Sequence, residues 1–145
     1  MGNLETVKFI TDNIETVLKG LGIHFVRKTF EDEKNIPASL LPLGEIRYQG
    51  EVFEYTHGER MGYIEAEFAL RVTIAERDTV DMMRAQQKWA HSIRGALTIN
   101  ALNIAGLVTS KYVSRVTTAA VEVDNARTDG VAALGYQLMV RYRET

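Results

Sequence analysis

Residues 61–75 read MGYIEAEFALRVTIA, and this stretch decides the fold. Ile64, Ala66, Phe68, Leu70, Val72 and Ile74 fall on one parity, while Glu65, Glu67, Arg71 and Thr73 fall on the other. A period of two marks a strand with one face on a core and one face polar. Upstream, Gly44–Tyr55 reads as its partner strand, and His57-Gly58-Glu59-Arg60 reads as the turn between them. The apolar phase of that partner shifts. Ile46, Tyr48 and Val52 share one parity, Phe53 and Tyr55 the other, so a β-bulge is expected near Gly50–Val52. Both strands are long enough for the hairpin tip to project beyond a core.

The remaining elements follow from period and punctuation. Asn3 is placed to cap a first helix, whose Val7, Ile10, Ile14, Val17 and Leu21 recur at 3,4 spacing until Gly20 and Gly22 end it. Ile23–Phe30 is rich in β-branched and aromatic residues and reads as a strand. The charged run Glu31–Lys34 and the Pro37–Pro42 stretch read as a loop. Asp78 or Thr79 caps a second helix, with Met82, Met83, Gln86, Trp89, Ala90, Ile93 and Leu97 as its apolar stripe, and a shorter helical piece continues through Ala101–Ile104 towards Gly106. Tyr112–Asp124 and Val131–Arg143 read as two more strands, joined by a turn over Asn125–Gly130 that ends in Asp-Gly. In the last of these, Leu134, Tyr136, Leu138, Val140 and Tyr142 share a face. The order α-β-β-β-α-β-β, with two helices against a mostly antiparallel sheet, predicts an α+β sandwich of two layers with a long β2–β3 hairpin.

Composition narrows the class. The 145 residues carry 17 Lys and Arg, 19 Asp and Glu, and no Cys. That excludes disulfide frameworks, thiolate zinc sites and iron–sulfur clusters. A hydrophobic share of 46% and a charged share of 25% are ordinary globular usage, unlike that of disordered chains. The length suits one domain over residues 1–145, able to bury roughly 70% of its unfolded surface. A net charge of −2 gives no phosphate-neutralising footprint. No segment approaches the ~18 apolar residues of a membrane span, and Met1–Lys8 shows no signal-peptide pattern. A chain assembled in the cytoplasm, without a membrane partner, is expected.

The chemistry-bearing residues do not gather into a motif. His24, His57 and His91 lie in a strand, a turn and a helix, and none has a second ligand at metal spacing. Ser39, Ser92, Ser110 and Ser114 lack a nucleophile-elbow context. Glu65 and Glu67 point to one side of a strand and would suit a cation or acid–base pair, although alternation alone explains them. The glycines of Gly58-Glu59-Arg60-Met61-Gly62 precede no helix, as a phosphate cradle requires. Arg141 and Arg143 flank Tyr142, an arrangement that suits either nucleic acid or a polar strand face. No catalytic residue, metal ligand or cofactor is assigned. A small enzyme or ligand-binding domain would need His24, His91, Glu65 and Glu67 to meet in one apolar cleft.

Charge is unevenly distributed. From Glu31 to Glu67 there are nine acidic residues against three basic, a net of −6 that leaves +4 for the rest of the chain. The hairpin also carries Tyr48, Phe53, Tyr55, Met61 and Tyr63 near its far end, a composition found at interfaces and equally in cores. Glu51, Phe53, Glu54, Tyr55, Glu59, Arg60, Met61 and Tyr63 are therefore the candidate subunit-interface residues. On that reading, an acidic arm meets a neighbouring copy's more basic surface.

The element order, the long hairpin, the stretch DTVDMMRAQQKWAHSIRGALTINALNIAG (78–106) and the ending VEVDNARTDGVAALGYQLMVRYRE (121–144) resemble tail terminator, or tail completion, proteins of long-tailed bacteriophages. The resemblance runs from about Asn3 to Glu144 and rests on length, order and texture, with no catalytic motif to carry over. It implies a structural virion protein at the tail end or neck. Such proteins form a homohexameric ring that sits on the last ring of tail-tube subunits and stops tube polymerisation. The ring then offers a surface to the head-completion or connector protein, while DNA only passes through its lumen. Other neck, minor tail or tube proteins share the same texture and remain the alternative, since fold does not fix function.

Overall fold

The computed structural model describes residues 3–23, 25–29, 38–54, 63–76, 79–102, 113–124 and 131–143; within these, residues 3–5, 38, 53, 54, 79, 100, 120, 121, 124 and 143 are described by their backbone alone. Helix α1 spans Asn3–Gly20, strand β1 Phe25–Arg27, β2 Leu43–Glu54, β3 Tyr63–Ala75, helix α2 Thr79–Ala96, α3 Ile99–Leu102, β4 Val113–Asp124 and β5 Val131–Arg143. A short 3-10 turn, Ala38–Leu40, and a cis Leu41–Pro42 peptide precede β2. The turns expected at 57–60 and 125–130, and the charged run 31–34, lie outside the described residues.

The strands form one sheet in the order β1-β2-β3-β5-β4. Among the described strands only β1–β2 is parallel, and β2–β3, β3–β5 and β4–β5 are antiparallel. The helices cover one face: α1 packs over β1 and β2, α2 over β4 and β5, and α3 lies between α1 and β4. The architecture is the two-layer α+β sandwich expected from the pattern.

The inner face of the sheet is the core. Ile64, Ala66, Phe68, Leu70, Val72 and Ile74 of β3 are buried, as are Leu134, Tyr136, Leu138, Val140 and Tyr142 of β5. Every apolar position of both alternations is buried. Opposite them, Ile10, Ile14 and Leu18 of α1 and Ile93 of α2 are fully buried. Each such side chain contributes about 1.5–3 kcal/mol by leaving water.

Several expectations need correction. On α1 the buried centre of the stripe runs through Thr6, Ile10, Asn13, Ile14 and Leu18, and Val7, Val17 and Leu21 are only partly buried. Asn13 is inside because its Nδ2 donates to the Leu102 carbonyl at 2.9 Å, at the end of α3. On α2 the exposed Met83 lies outside the stripe, while Met82 and Trp89 pack against the core.

Strand β1 is shorter than the expected Ile23–Phe30. Gly22 has φ +93° and ends α1: its N–H donates to Lys19, and the Ile23 N–H reaches back to Leu18. This is a Schellman closure, with buried Ile23 against buried Leu18 as its apolar contact. Ile23 is thus spent on the helix cap. At the other end, Lys28 turns away to pair with Asp12 and Glu15 of α1.

Gly44 is required for close approach. A Cβ there would meet Ile23 Cγ2 at 3.3 Å and Leu18 Cδ1 at 3.4 Å. The first turn of β2 therefore sits directly beneath the α1 cap.

Candidate functional site

The outer half of the β2–β3 hairpin begins at a bulge. The pairing Tyr48↔Phe68 is followed by Gly50↔Glu67, so Gln49 is the extra residue, slightly earlier than the expected Gly50–Val52. Gly50 follows with φ +118°, a conformation open to glycine and strained for other residues. The inserted residue inverts the parity of everything after it. Before the bulge, Gly44, Ile46 and Tyr48 oppose the core side of β3; after it, Glu51 opposes Ala66 and Phe53 opposes Ile64.

Glu51 is consequently turned to the inner face. There the fully buried Tyr142 donates its hydroxyl to Glu51 Oε1 at 3.0 Å. Burial pushes the Tyr142 phenol well up, and the hydrogen bond to Glu51 adds to that. Tyr48 lies beside the same carboxylate, its ring edge-on to Phe68 with centroids 5.8 Å apart. Its phenol is pushed up to about 12, first by partial burial and then by the Glu51 charge. Buried Tyr142 and half-buried Glu51 thus meet on the inner face, with the half-exposed Tyr48 beside them.

The outer face is not the plain solvated surface that alternation suggested. At the hairpin root Arg71 makes two bonds to Glu45, Nε to Oε1 at 2.8 Å and Nη2 to Oε2 at 3.0 Å. The Glu45 side chain is 0% exposed and that of Arg71 15%. Small neighbours, Ala69 and Ala133, are buried on this face with Thr73. A bidentate pair of this kind holds its partners in one geometry. Beside it a shallow depression of about 230 Å³ is lined by Arg47, Gln49, Arg71, Glu122 and Gln137 among others. Gln137 Nε2 donates to Gln49 Oε1 at 2.6 Å across it.

Farther out, Glu65 and Glu67 do share a side, as their spacing predicted. Glu65 accepts from Arg115 Nη2 at 2.9 Å. The Arg141 guanidinium lies over the Tyr63 ring at 4.1 Å from its centroid, so this arginine is committed to a cation–π contact within the subunit. Tyr142 points to the opposite face, which separates the two parts of the suspected Arg–Tyr–Arg motif.

Of the candidate interface residues, Tyr63 is exposed on the outer face and Glu51 is half-buried on the inner one. Phe53 and Glu54 are placed by backbone only, at the end of β2. Tyr55, Glu59, Arg60 and Met61 lie outside the described residues. Val52, exposed on the outer side, was not foreseen as a candidate; its parity after the bulge is the signal that places it there. Beyond β1, whose pairing stops at Glu45, β2 runs on as the edge of the sheet.

His91 is exposed on α2, and His24 and His57 lie outside the described residues. Among the described residues no group of three His, Asp or Glu side chains is placed to hold a metal ion. No described helix is long and apolar enough to cross a membrane.

No family model and no curated protein matches the sequence. The fold does have solved counterparts. One is a chain in the structure titled "Virion of native gene transfer agent (GTA) particle". It is 10% identical, the match covers 92% of this chain and 91% of that chain, and the TM-score is 0.51. The likeness therefore extends end to end over both chains, and it is a likeness of fold.

Proposed function

We propose that this chain is a structural protein of a phage-like virion, and specifically a tail terminator. It would form a homohexameric ring on the end of the tail tube, stop tube polymerisation and present the surface on which the head-completion protein docks. The observation that carries the reading is the end-to-end fold match to a chain of a gene transfer agent virion. The resemblance of residues 78–106 and 121–144 to tail terminators supplies the finer role. The hairpin supports it as well, because a ring made by one repeated contact needs two different, complementary patches on each subunit. The hairpin edge is one such patch.

The mass in solution tests this, by light scattering on a sizing column at low and high salt, followed by incubation with purified tail tubes. A discrete species near six subunits, or a monomer captured only at tube ends, is the expected result. Open-ended polymers would identify a tube subunit instead. A monomer that tubes never capture would overturn the reading.

A further inference from the structure

We infer that the outward face of α2 binds the phosphate backbone of duplex DNA, without regard to base sequence. The inference goes beyond the virion reading and stands without it.

The first observation is a charge gap in the sequence. From residue 82 to 121 there is no Asp or Glu, and there are five Lys or Arg. The net charge of −2 conceals this, because nine of the 19 acids lie between Glu31 and Glu67. A local basic surface therefore exists on a chain whose total charge shows none.

The second is where three of those cations stand. Helix α2 turns Gln86 and Ile93 inward, with Met82, Ala85 and Trp89 against the core. From 84 to 94 its exposed residues are Arg84, Gln87, Lys88, His91 and Arg94, whose spacing gathers them on the opposite side. At about 1.5 Å per residue the stripe is ~15 Å long. Laid along a duplex, it spans about four phosphates of one strand, which follow one another every ~3.4 Å of axis.

The third is that these cations are not taken up within the subunit. Elsewhere Lys19 pairs with Glu15, Lys28 with Asp12 and Glu15, Arg71 with Glu45 and Arg115 with Glu65, while Arg141 lies over Tyr63. Among the described residues no carboxylate pairs with Arg84, Lys88 or Arg94. The Arg94 charge is felt by the buried Tyr136 phenol, so Arg84 and Lys88 are the principal contacts. Four residues apart on one helix face, these two repel each other, a small cost that an anion between them removes.

The side chains also select among anionic partners. Arg and Lys donate hydrogen bonds and accept none, and Gln87 and His91 add further N–H donors. An acidic protein would be anchored by aromatic or aliphatic side chains. The stripe holds none: Trp89 packs on the core, and the exposed Val80 and Met83 lie at the N-terminal end, before it begins. Phosphate oxygens ask only for donors and positive charge.

The test is fluorescence anisotropy of two labelled duplexes of unrelated sequence, titrated with the full chain between about 50 and 200 mM salt. Three phosphate contacts should give a log–log salt slope of about −2.7, a fall of about fortyfold over that range, alike for both duplexes. Arg84→Gln with Lys88→Gln should weaken binding about tenfold or more at low salt and take about two from the slope. Lys19→Gln with Arg115→Gln removes the same charge from paired cations and should leave the slope unchanged. Arg84 and Lys88 are exposed, so unchanged thermal unfolding is the folding control. Should the double variant unfold early, Lys88→Gln alone decides by taking about one from the slope. No binding at the lowest salt would overturn the inference, as would α2 variants that bind like the unaltered chain. Equal loss in the Lys19 and Arg115 control would assign binding to total charge and overturn it too. Polyglutamate that competes as well as unlabelled duplex would make the occupant an acidic protein, and the inference would again be wrong. Each of these failures leaves the terminator reading to its own test.

Discussion

Glu45 and Glu51 share a parity on β2, and a regular strand would turn both to the same side. They end on opposite faces. Glu45, before the bulge, is locked on the outer face by two bonds from Arg71. Glu51, after it, is on the inner face and takes the hydroxyl of buried Tyr142. One residue type thus serves two purposes on one strand. At the root it ties β2 to β3, and in the outer half it ends the core. The single residue Gln49 makes the difference, because an insertion in a period of two exchanges the faces of all that follows.

Removal of the root pair should show the largest effect. Glu45→Ala leaves the Arg71 guanidinium, mostly buried, without its carboxylate, and should cost about 3 kcal/mol in urea unfolding. A loss below about 1 kcal/mol would mean that the pair is effectively solvated. Gly50→Val attacks the bulge itself. A β-branched residue at φ +118° should cost about 2 kcal/mol, as an upward shift in unfolding rate or a lower urea midpoint. An unchanged midpoint would show that β2 tolerates a straight path. Tyr142→Phe removes only the hydroxyl from the outer-half arrangement and should cost about 1.5 kcal/mol. A cycle with Glu51→Gln should show strong coupling between the two, while Glu45→Ala should be additive with either.

Alkaline titration sharpens the comparison further. The Tyr48 phenol, ordinarily near 10.0, is raised to about 12 in the folded chain by burial and by Glu51. A raised folded pKa means that the native state holds the proton longer, so its contribution is fully present below about 10 and is lost as pH climbs towards 12. Stability should therefore fall over that window, and Tyr48→Phe should flatten the fall. An identical alkaline limb in the variant would place the Glu51 charge elsewhere. The smallest effect is expected at Arg115→Ala, below about 0.5 kcal/mol, because its bond to Glu65 is exposed on the arginine side.

Much of the fold was readable because its signals are local. Strand β5 begins and ends where its alternation does, and Leu134 to Tyr142 are buried as their parity required. The phase shift between Tyr48 and Phe53 announced the bulge within a residue or two. The functions of the carboxylates were not readable. Nothing near Glu51 in the sequence points to Tyr142, which reaches it through β3 and β5. Nothing near Glu45 distinguishes it from Glu54, since the partner Arg71 is fixed only by strand register. The strand order has the same origin: β3 beside β5 is a pairing across α2, α3 and β4, and alternation carries no record of neighbours. Ile23 was misplaced in β1 because a β-branched residue after a glycine suits a strand start and a Schellman closure equally well.

The order β1-β2-β3-β5-β4 has a consequence for synthesis. Among the described residues strand β4 pairs with the sheet through β5 alone, and β3 has an open edge until β5 arrives. As the chain leaves the ribosome, β2 and β3 can zip together early, for their pairing is local. They then wait, with the apolar side of β3 exposed, while α2, α3 and β4 are made. Closing so long a loop is slow, and an edge that waits is open to other nascent chains. β5 is thus the keystone of the molecule. A ribosome stalled before Val131 would release a chain with three helices, a sticky hairpin and no means of joining its halves.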